Sequence, residues 1–313
     1  MVTIKKIEIK DYFGKGNFEW NLDPVVNILG GKNGSGKSSL FKLCYTLLTT
    51  ERINEEMDKH FSTLFEKVVI TLSNDWTVTW TRAKENEHYS VDIGGKKPLV
   101  FRESVEIYDN KRDKRVFSEL SSQFNVFMIN SFEQHTATAA QYERQPKSLP
   151  LDDPTMLDLM IKDQIDLRNK DFSKVMEDFV DSPEEDEQKR AEYVKSYKKI
   201  YSILAHFLQE YDEPFKSSFE FTKDGSAIGF ERLSMGEKQI LLLLLMVSNT
   251  NQKPCIFFMD EPDLSMHIDW KEILVKELHD LNPYMQIILS THAPSVITGW
   301  HDKVKEVSHL IKK

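Results

Sequence analysis

Hydrophobic positions along this chain recur in two periods, and the changes of period mark out its elements. Val25-Val26-Asn27-Ile28-Leu29 is short, mostly apolar and β-branched, the pattern of a buried parallel strand. From Ser38 to about Thr50 the spacing of Leu40, Leu43, Leu47 and Leu48 is helical. Val2 to Lys10 alternates imperfectly and predicts a first strand, with Phe18-Glu19-Trp20 as its hairpin partner across Gly14-Lys15-Gly16. Lys67–Leu72, Thr77–Arg82, Tyr89–Ile93 and Leu99–Tyr108 are rich in Val, Ile, Thr and aromatics between polar turns, which predicts an antiparallel meander. Asn125–Asn130, Cys255–Asp260 and Gln286–Ser290 read as buried strands.

From Asp153 to about Tyr211 the period turns helical, with Met156, Leu159, Met160 and Ile165 placed on one face and Pro183 dividing the stretch. The two resulting helices are too short and too irregular in heptads for long coiled-coil arms. A hairpin over Phe219–Phe230 and the apolar helix Ile240–Val247 follow, and Trp270, Ile273, Leu274 and Leu278 mark a later amphipathic helix. The fold class is α/β: a mixed core sheet, an antiparallel β-subdomain and an inserted helical subdomain. The expected divisions are 1–135, 136–215 and 216–313.

Composition narrows the setting. With 40% hydrophobic residues in 313 the chain has ample core. Cys44 and Cys255 lie far apart and offer neither a metal spacing nor a disulfide framework, which suits a reducing compartment. No signal peptide opens the sequence, and the longest apolar run, Ile240 to Val247, is too short to span a bilayer, so a cytoplasmic protein without a membrane is expected. A net charge of −9 argues against nonspecific DNA binding by the whole surface and leaves room for a local basic groove. The charged loop Lys111–Arg115 reads as a solvated turn.

The candidate chemistry begins where the first parallel strand ends. Gly31-Lys32-Asn33-Gly34-Ser35-Gly36-Lys37-Ser38 sits between strand and helix, the context that makes GxxxxGK[ST] a phosphate-binding loop. Its backbone N–H groups and the helix N-terminus suit an anion, Lys37 suits the β- and γ-phosphates, and the Ser38 hydroxyl suits Mg²⁺. A nucleoside triphosphate is the expected ligand. Tyr12, Phe13 and Phe18 have two roles open, stacking on a base or filling the core. Ser234 and Glu237 have the spacing of a capping box, and the same helix start is also an anion site. Asp260 and Glu261 end a hydrophobic strand, where two carboxylates are costly unless they meet a cation. There Asp260 suits Mg²⁺ and Glu261 suits polarising a water. His292, at the end of the next strand, is placed to sense the γ-phosphate.

Taken in order, the phosphate loop, Leu233-Ser234-Met235-Gly236-Glu237-Lys238-Gln239, Phe257 to Asp263 and Leu289 to Pro294 resemble the head of ABC-type ATPases. Within that class they look like the RecF/SMC-like and OLD-type AAA-family ATPases, whose signature reads Ser-x-Gly-Glu. The resemblance covers residues 1–135 and 215–313. It implies a P-loop NTPase of ABC type that binds ATP and Mg²⁺ and releases ADP and phosphate slowly, in a regulatory role. Gly31, Asn33, Gly34, Ser35, Gly36, Lys37, Ser38 and Ser39 would form Walker A, and Ser234, Gly236 and Glu237 the signature loop. Asp260 and Glu261 would be Walker B, Asp263 to His267 the D-loop and His292 the switch histidine. The Q-loop glutamine, a further metal and catalytic residue, is Gln134 by position, with Gln123 as the alternative.

The same resemblance implies composite sites, in which one subunit's signature loop caps ATP on the other's Walker A. A head-to-tail homodimer formed on ATP, or a higher oligomer, would result. OLD-type relatives often carry a nuclease domain after the head. Here the sequence runs about twenty residues past His292, room for one last strand near Val304–Ile311, which predicts a separate effector, a nuclease or a toxin. Stand-alone heads of this kind resemble ATPase subunits of bacterial anti-phage systems of the Septu, retron-associated and PARIS types. The implied function is a sensor or regulator of such an effector. The alternative is a RecF-like DNA-binding ATPase of genome maintenance; a transporter subunit is disfavoured by Gly236–Gln239 and the helical stretch. Asp153–Tyr211 is expected to bind the partner and to be separable from the ATP-binding head.

Overall fold

The structure, a computed structural model, describes residues 1–49, 61, 64–82, 89–91, 99–101, 103–112, 114–115, 125–129, 155–181, 187–212 and 219–312. In chain order the first elements are β1 (Ile4–Lys10), β2 (Asn17–Asn21), β3 (Val26–Gly30), α1 (Lys37–Thr49), β4 (Lys67–Leu72) and β5 (Trp76–Arg82). Next come β6 (Tyr89–Val91), β7 (Leu99–Phe101), β8 (Glu103–Asp109), β9 (Lys114–Arg115) and β10 (Asn125–Ile129). Helices α2 (Met156–Asp181) and α3 (Glu187–Phe207), the hairpin β11 (Phe221–Lys223) and β12 (Ser226–Ile228), and α4 (Met235–Ser248) follow. The last are β13 (Cys255–Asp260), α5 (Ile268–Leu281), β14 (Met285–Ser290), β15 (Val304–Glu306), α6 (Val307–Leu310) and β16 (Ile311–Lys312).

Two compact units result, one of Met1–Asn130, Lys253–Pro262 and Tyr284–Lys313, the other of Ser131–Gln252 and Asp263–Pro283. The first unit holds two sheets. One is parallel throughout, in the order β10-β13-β14-β3-β15; the other is antiparallel, in the order β16-β2-β1-β4-β5-β8-β9. Helix α1 packs on β10 and β13 and also touches β5, which places it between the sheets. Its Leu40, Phe41, Leu43, Cys44 and Leu47 are fully buried, and Phe41 meets Phe258 at 5.6 Å between ring centroids. A helix apolar over so much of its surface is stable only with apolar layers on more than one side. Gln286 ties the sheets together, accepting from Ile4 N at 2.8 Å and donating to Ile4 O at 2.9 Å.

Three sequence expectations change in this unit. The strands do not pair in simple meander order: β5 pairs directly with β8, while β6 and β7 pair with each other. Cross-strand pairing decides it, since Val78 and Ile107 stand opposite one another and are both buried. Among the described residues β10 is an edge strand, with a half-buried Val126, Phe127 and Met128 rather than a buried run. The stretch Val304–Ile311 holds two short strands, because β15 joins β3 in the parallel sheet and β16 joins β2 in the antiparallel one.

The second unit is helical. α2 and α4 lie side by side and parallel, since Asp158 pairs with Lys238 and Arg168 with Ser248, both at a separation of 80 residues. Asn249 adds a hydrogen bond to the Gln164 carbonyl at 2.9 Å. Leu159 and Ile165 of the predicted face are buried, together with Leu157, Ile161 and Arg168, whereas Met156 and Met160 are only half-buried. Packing against α4 selects that set, and the helix is amphipathic enough to offer more than one. α3 returns along α2 with Tyr197 against Phe172 at 4.3 Å and under the Arg168 guanidinium at 3.7 Å. It also meets α5, where His206 Nδ1 lies 3.1 Å from buried Glu277.

Candidate nucleotide site

Asp260 pairs with Ser290 and Ser290 with Leu29 in parallel register, so β13, β14 and β3 end together. That aligned C-terminal edge is where open α/β sheets place ligand chemistry, because the turns that follow fan out above it. β3 leads into a turn in which Ser35 N donates to Lys32 O at 3.1 Å, and α1 begins at Lys37. Gly36 has φ +99°, and a Cβ there would lie 2.5 Å from both the Tyr12 hydroxyl and the Phe13 ring. Only glycine fits. Tyr12 and Phe18 are buried and stacked at 4.9 Å, and the Tyr12 hydroxyl donates to Ser35 O at 3.1 Å. The aromatic group therefore forms the floor of the loop, and burial pushes the Tyr12 hydroxyl well above its ordinary value, which keeps it a donor.

Lys37 is 5% exposed. Its Nζ donates to Gly31 O at 3.0 Å and meets His292 Nε2 at 3.1 Å. An ammonium only donates, so that contact needs Nε2 as acceptor, with the ring proton on Nδ1. The same nitrogen is 3.3 Å from Glu261 Oε1, a pairing that needs Nε2 protonated. The two contacts are alternatives, which makes His292 a group that can side with Lys37 or with Glu261. Glu261 has φ +50°, a left-handed conformation rare for a side chain of its kind, and its N–H is held by Ser290 O at 3.1 Å. Backbone strain of this sort costs about 1–3 kcal/mol and concentrates at functional sites. Beside it, buried Asp260 accepts from the Ser290 hydroxyl at 2.6 Å.

Asn33, Gly34 and Ser38 are exposed and Ser39 is half-buried. Among the described residues the buried Ser35 hydroxyl has no hydrogen-bond partner, an orphaned polar atom inside the loop. A cavity of about 430 Å³ opens beside Gly31 and Lys32, with Thr291, His292, Val304 and Glu306 among its walls. Gln134 and its alternative Gln123 lie outside the described residues.

Ser234, Gly236 and Glu237 lie in the second unit, at the start of α4. The capping box is formed: Glu237 N donates to Ser234 Oγ at 3.4 Å and Ser234 N to Glu237 Oε2 at 2.6 Å. Ser234 itself is exposed. A Cβ on Gly236 would lie 2.5 Å from the Ser265 carbonyl, so the loop and the segment after Pro262 approach as closely as backbones can. Lys238 turns inward onto Asp158 at 2.6 Å, both about nine-tenths buried. The Tyr211 hydroxyl donates to Glu237 Oε1 at 2.9 Å, and burial together with that carboxylate pushes it up to about 12.

Sequence reading overlooked Ser290, Tyr211 and Asp158. Ser290 had a usable signal, its place at a strand end two residues before His292. Tyr211 and Asp158 had none, because only the folded helices bring them to the Ser234 loop.

Residues 26–298 match the protein family described as "AAA domain, putative AbiEii toxin, Type IV TA system". The chain belongs to this family. A curated relative, the Retron Vc95 probable ATPase of Vibrio cholerae serotype O1 biovar El Tor, is 33% identical over 100 residues. That match takes in 28% of this chain and 20% of the relative, so the chain spans only a fifth of that protein. Among solved structures, the SmcHead bound to the C-winged helix domain of ScpA matches with a TM-score of 0.55 at 16% identity, over 94% of this chain and 90% of that one. The SMC head domain from Thermotoga maritima matches with a TM-score of 0.52 at 13% identity, over 97% and 94%. At such identities these likenesses concern the fold. Family and fold together give the chain an AAA domain with a P-loop NTPase core, folded like the SMC heads. Among the described residues no helix is long and apolar enough to cross a membrane.

Proposed function

We propose that this ATPase is an ATP-driven switch whose site is completed by a second copy of the chain. Gly31, Asn33, Gly34, Ser35, Gly36, Lys37, Ser38 and Ser39 take the triphosphate, and the unpartnered Ser35 hydroxyl is an observation that suits a phosphate oxygen. Mg²⁺ would be held by Ser38 and Asp260, with Gln134 as a further ligand. A hydroxyl and one carboxylate suffice for this ion, which keeps most of its shell as water and phosphate oxygens. It would supply charge neutralisation at the phosphates. Glu261 accepts a proton from the attacking water, and His292 exchanges its Lys37 contact for one that senses the γ-phosphate. The observation that carries the reading is the meeting of Lys37 and Glu261 at one nitrogen, His292 Nε2, at 3.1 and 3.3 Å. A phosphate-binding cation and a general base otherwise have little reason to converge.

Ser234 and Gly236 cap the ATP of the partner copy in a head-to-tail dimer, with Glu237 belonging to the loop as the residue that holds it in shape through Ser234 N, a reading supported by the exposure of Ser234 at a helix start. The divisions 1–135, 136–215 and 216–313 then act as two parts of a head with a helical insert between them. The likeness to a retron ATPase favours a cytoplasmic sensor or regulatory subunit of an anti-phage complex, turning ATP over slowly and controlling a separate nuclease or toxin. Co-purification from the native host with mass spectrometry tests that role. Recovery of a nuclease or toxin with the ATPase is expected, and recovery of DNA-repair proteins in its place would overturn it.

A further inference from the structure

We propose that Tyr211 is a positioning residue for the Ser234 loop, acting through Glu237 to keep that carboxylate off the face that meets a partner's triphosphate. The inference rests on the composite site proposed above. Glu237 stands in the first turn of α4, where the helix end favours a negative charge. An incoming phosphate seeks the same helix end, so a loose carboxylate there repels it and competes for the N–H groups. Both oxygens of Glu237 are occupied in a way that prevents this. Oε2 takes Ser234 N at 2.6 Å and Oε1 takes the Tyr211 hydroxyl at 2.9 Å. The neighbouring Lys238 does not neutralise the charge, because its ammonium is spent on Asp158 at 2.6 Å.

The tyrosine is itself fixed. Asp212 N donates to Thr222 O at 2.7 Å, which ties the segment to the β11–β12 hairpin. Phe221 lies edge-on to the Tyr211 ring at 5.5 Å and Lys223 Nζ stands over it at 5.4 Å. Removing only the hydroxyl leaves these contacts in place. The raised pKa of the phenol keeps it protonated, and so donating, across the neutral range.

The test uses the full chain in a Glu261→Gln background, where ATP is expected to accumulate a dimer. Adding Tyr211→Phe is expected to leave binding of a fluorescent ATP analogue to dilute protein unchanged, since the phosphate loop is untouched. The ATP concentration needed for dimerisation, followed by light scattering, is expected to rise about tenfold or more, as for a lost hydrogen bond to a charged group. Adding Glu237→Gln should restore assembly, because a neutral amide no longer repels the phosphate. Unchanged dimerisation overturns the inference. So does a loss that tracks a lower melting temperature and is not relieved by Glu237→Gln, which would make Tyr211 merely structural. Should Glu261→Gln alone fail to dimerise on ATP, the composite site falls and the inference falls with it.

Discussion

The Ser290 hydroxyl donates to Asp260 Oδ1 at 2.6 Å, across the register-matched ends of two parallel strands, and both residues are buried. A carboxylate removed from water needs donors or a cation, and Ser290 supplies one donor. Its own carbonyl also holds Glu261 N, so one residue aligns both members of the acidic pair. Ser290→Ala is expected to lower stability by about 1.5–3 kcal/mol, the range for a hydrogen bond to a charged group. Hydrolysis should need about tenfold more Mg²⁺, whereas ATP affinity changes little. Thermal melts and a Mg²⁺ titration of phosphate release check both, and an unaltered Mg²⁺ dependence would remove Asp260 from the metal site.

Lys37 is buried with its ammonium against a backbone carbonyl and His292, a position that only a strong anion improves. Lys37→Ala is expected to abolish measurable ATP binding, since a charge-assisted contact to phosphate contributes ~2–5 kcal/mol. Calorimetry on the folded variant is the readout. Near-normal affinity would remove the nucleotide from this loop.

The insert, expected from its sequence to be separable from the ATP-binding head, packs in the fold against the Ser234 helix. α2 holds α4 at both ends, through Asp158–Lys238 at the start and through Arg168 and Gln164 at the finish, so deleting Asp153–Tyr211 strips the Ser234 helix of its support. Lys238→Ala should therefore cost about 3–5 kcal/mol by stranding Asp158 in the interior, visible in a denaturant titration. Replacing 173–192 with a short linker spares those pairs. That variant is expected to melt near the parent temperature, bind ATP and lose its co-purifying partner. Retention of the partner would move the docking surface elsewhere.

Most of the core was legible because its signals are local. Val26–Gly30, the glycine-rich turn and Lys37–Thr49 follow from periodicity and turn chemistry within a few residues, and the Ser234–Glu237 cap follows from spacing alone. What stayed hidden is long-range. Nothing near Leu99–Phe101 announces that β5 will pair past it with β8, since pairing depends on partners elsewhere in the chain. The buried stripe of α2 depends on which neighbour it meets, and the links from Tyr211 and Asp158 to the Ser234 loop close over 26 and 80 residues. Sequence period reports that an element has an apolar face; it does not report what covers that face.

The strained backbone of Glu261 fixes where its carboxylate stands, beside His292 at 3.3 Å, and that fixity allows a clean substitution. Glu261→Gln keeps shape and removes charge, so ATP should still bind through Lys37, Ser38 and Asp260. Loss of a general base slows turnover by ~10²–10⁴-fold, and ATP should then persist long enough to hold two copies together. Light scattering is expected to report a mass that doubles on adding ATP. Ser234 is exposed at the opposing helix start, and Ser234→Arg puts a long side chain where the partner's phosphates would lie. In the Glu261→Gln background it should return the protein to its unliganded mass while ATP binding to each copy persists. A standing oligomer held by other surfaces would mask the change in mass. Engineered cysteines beside Ser35 and Met235 then read the contact itself, by cross-links between copies that form with ATP. Cross-links that form equally without nucleotide, or hydrolysis at the parent rate in Glu261→Gln, would mean that each copy works alone.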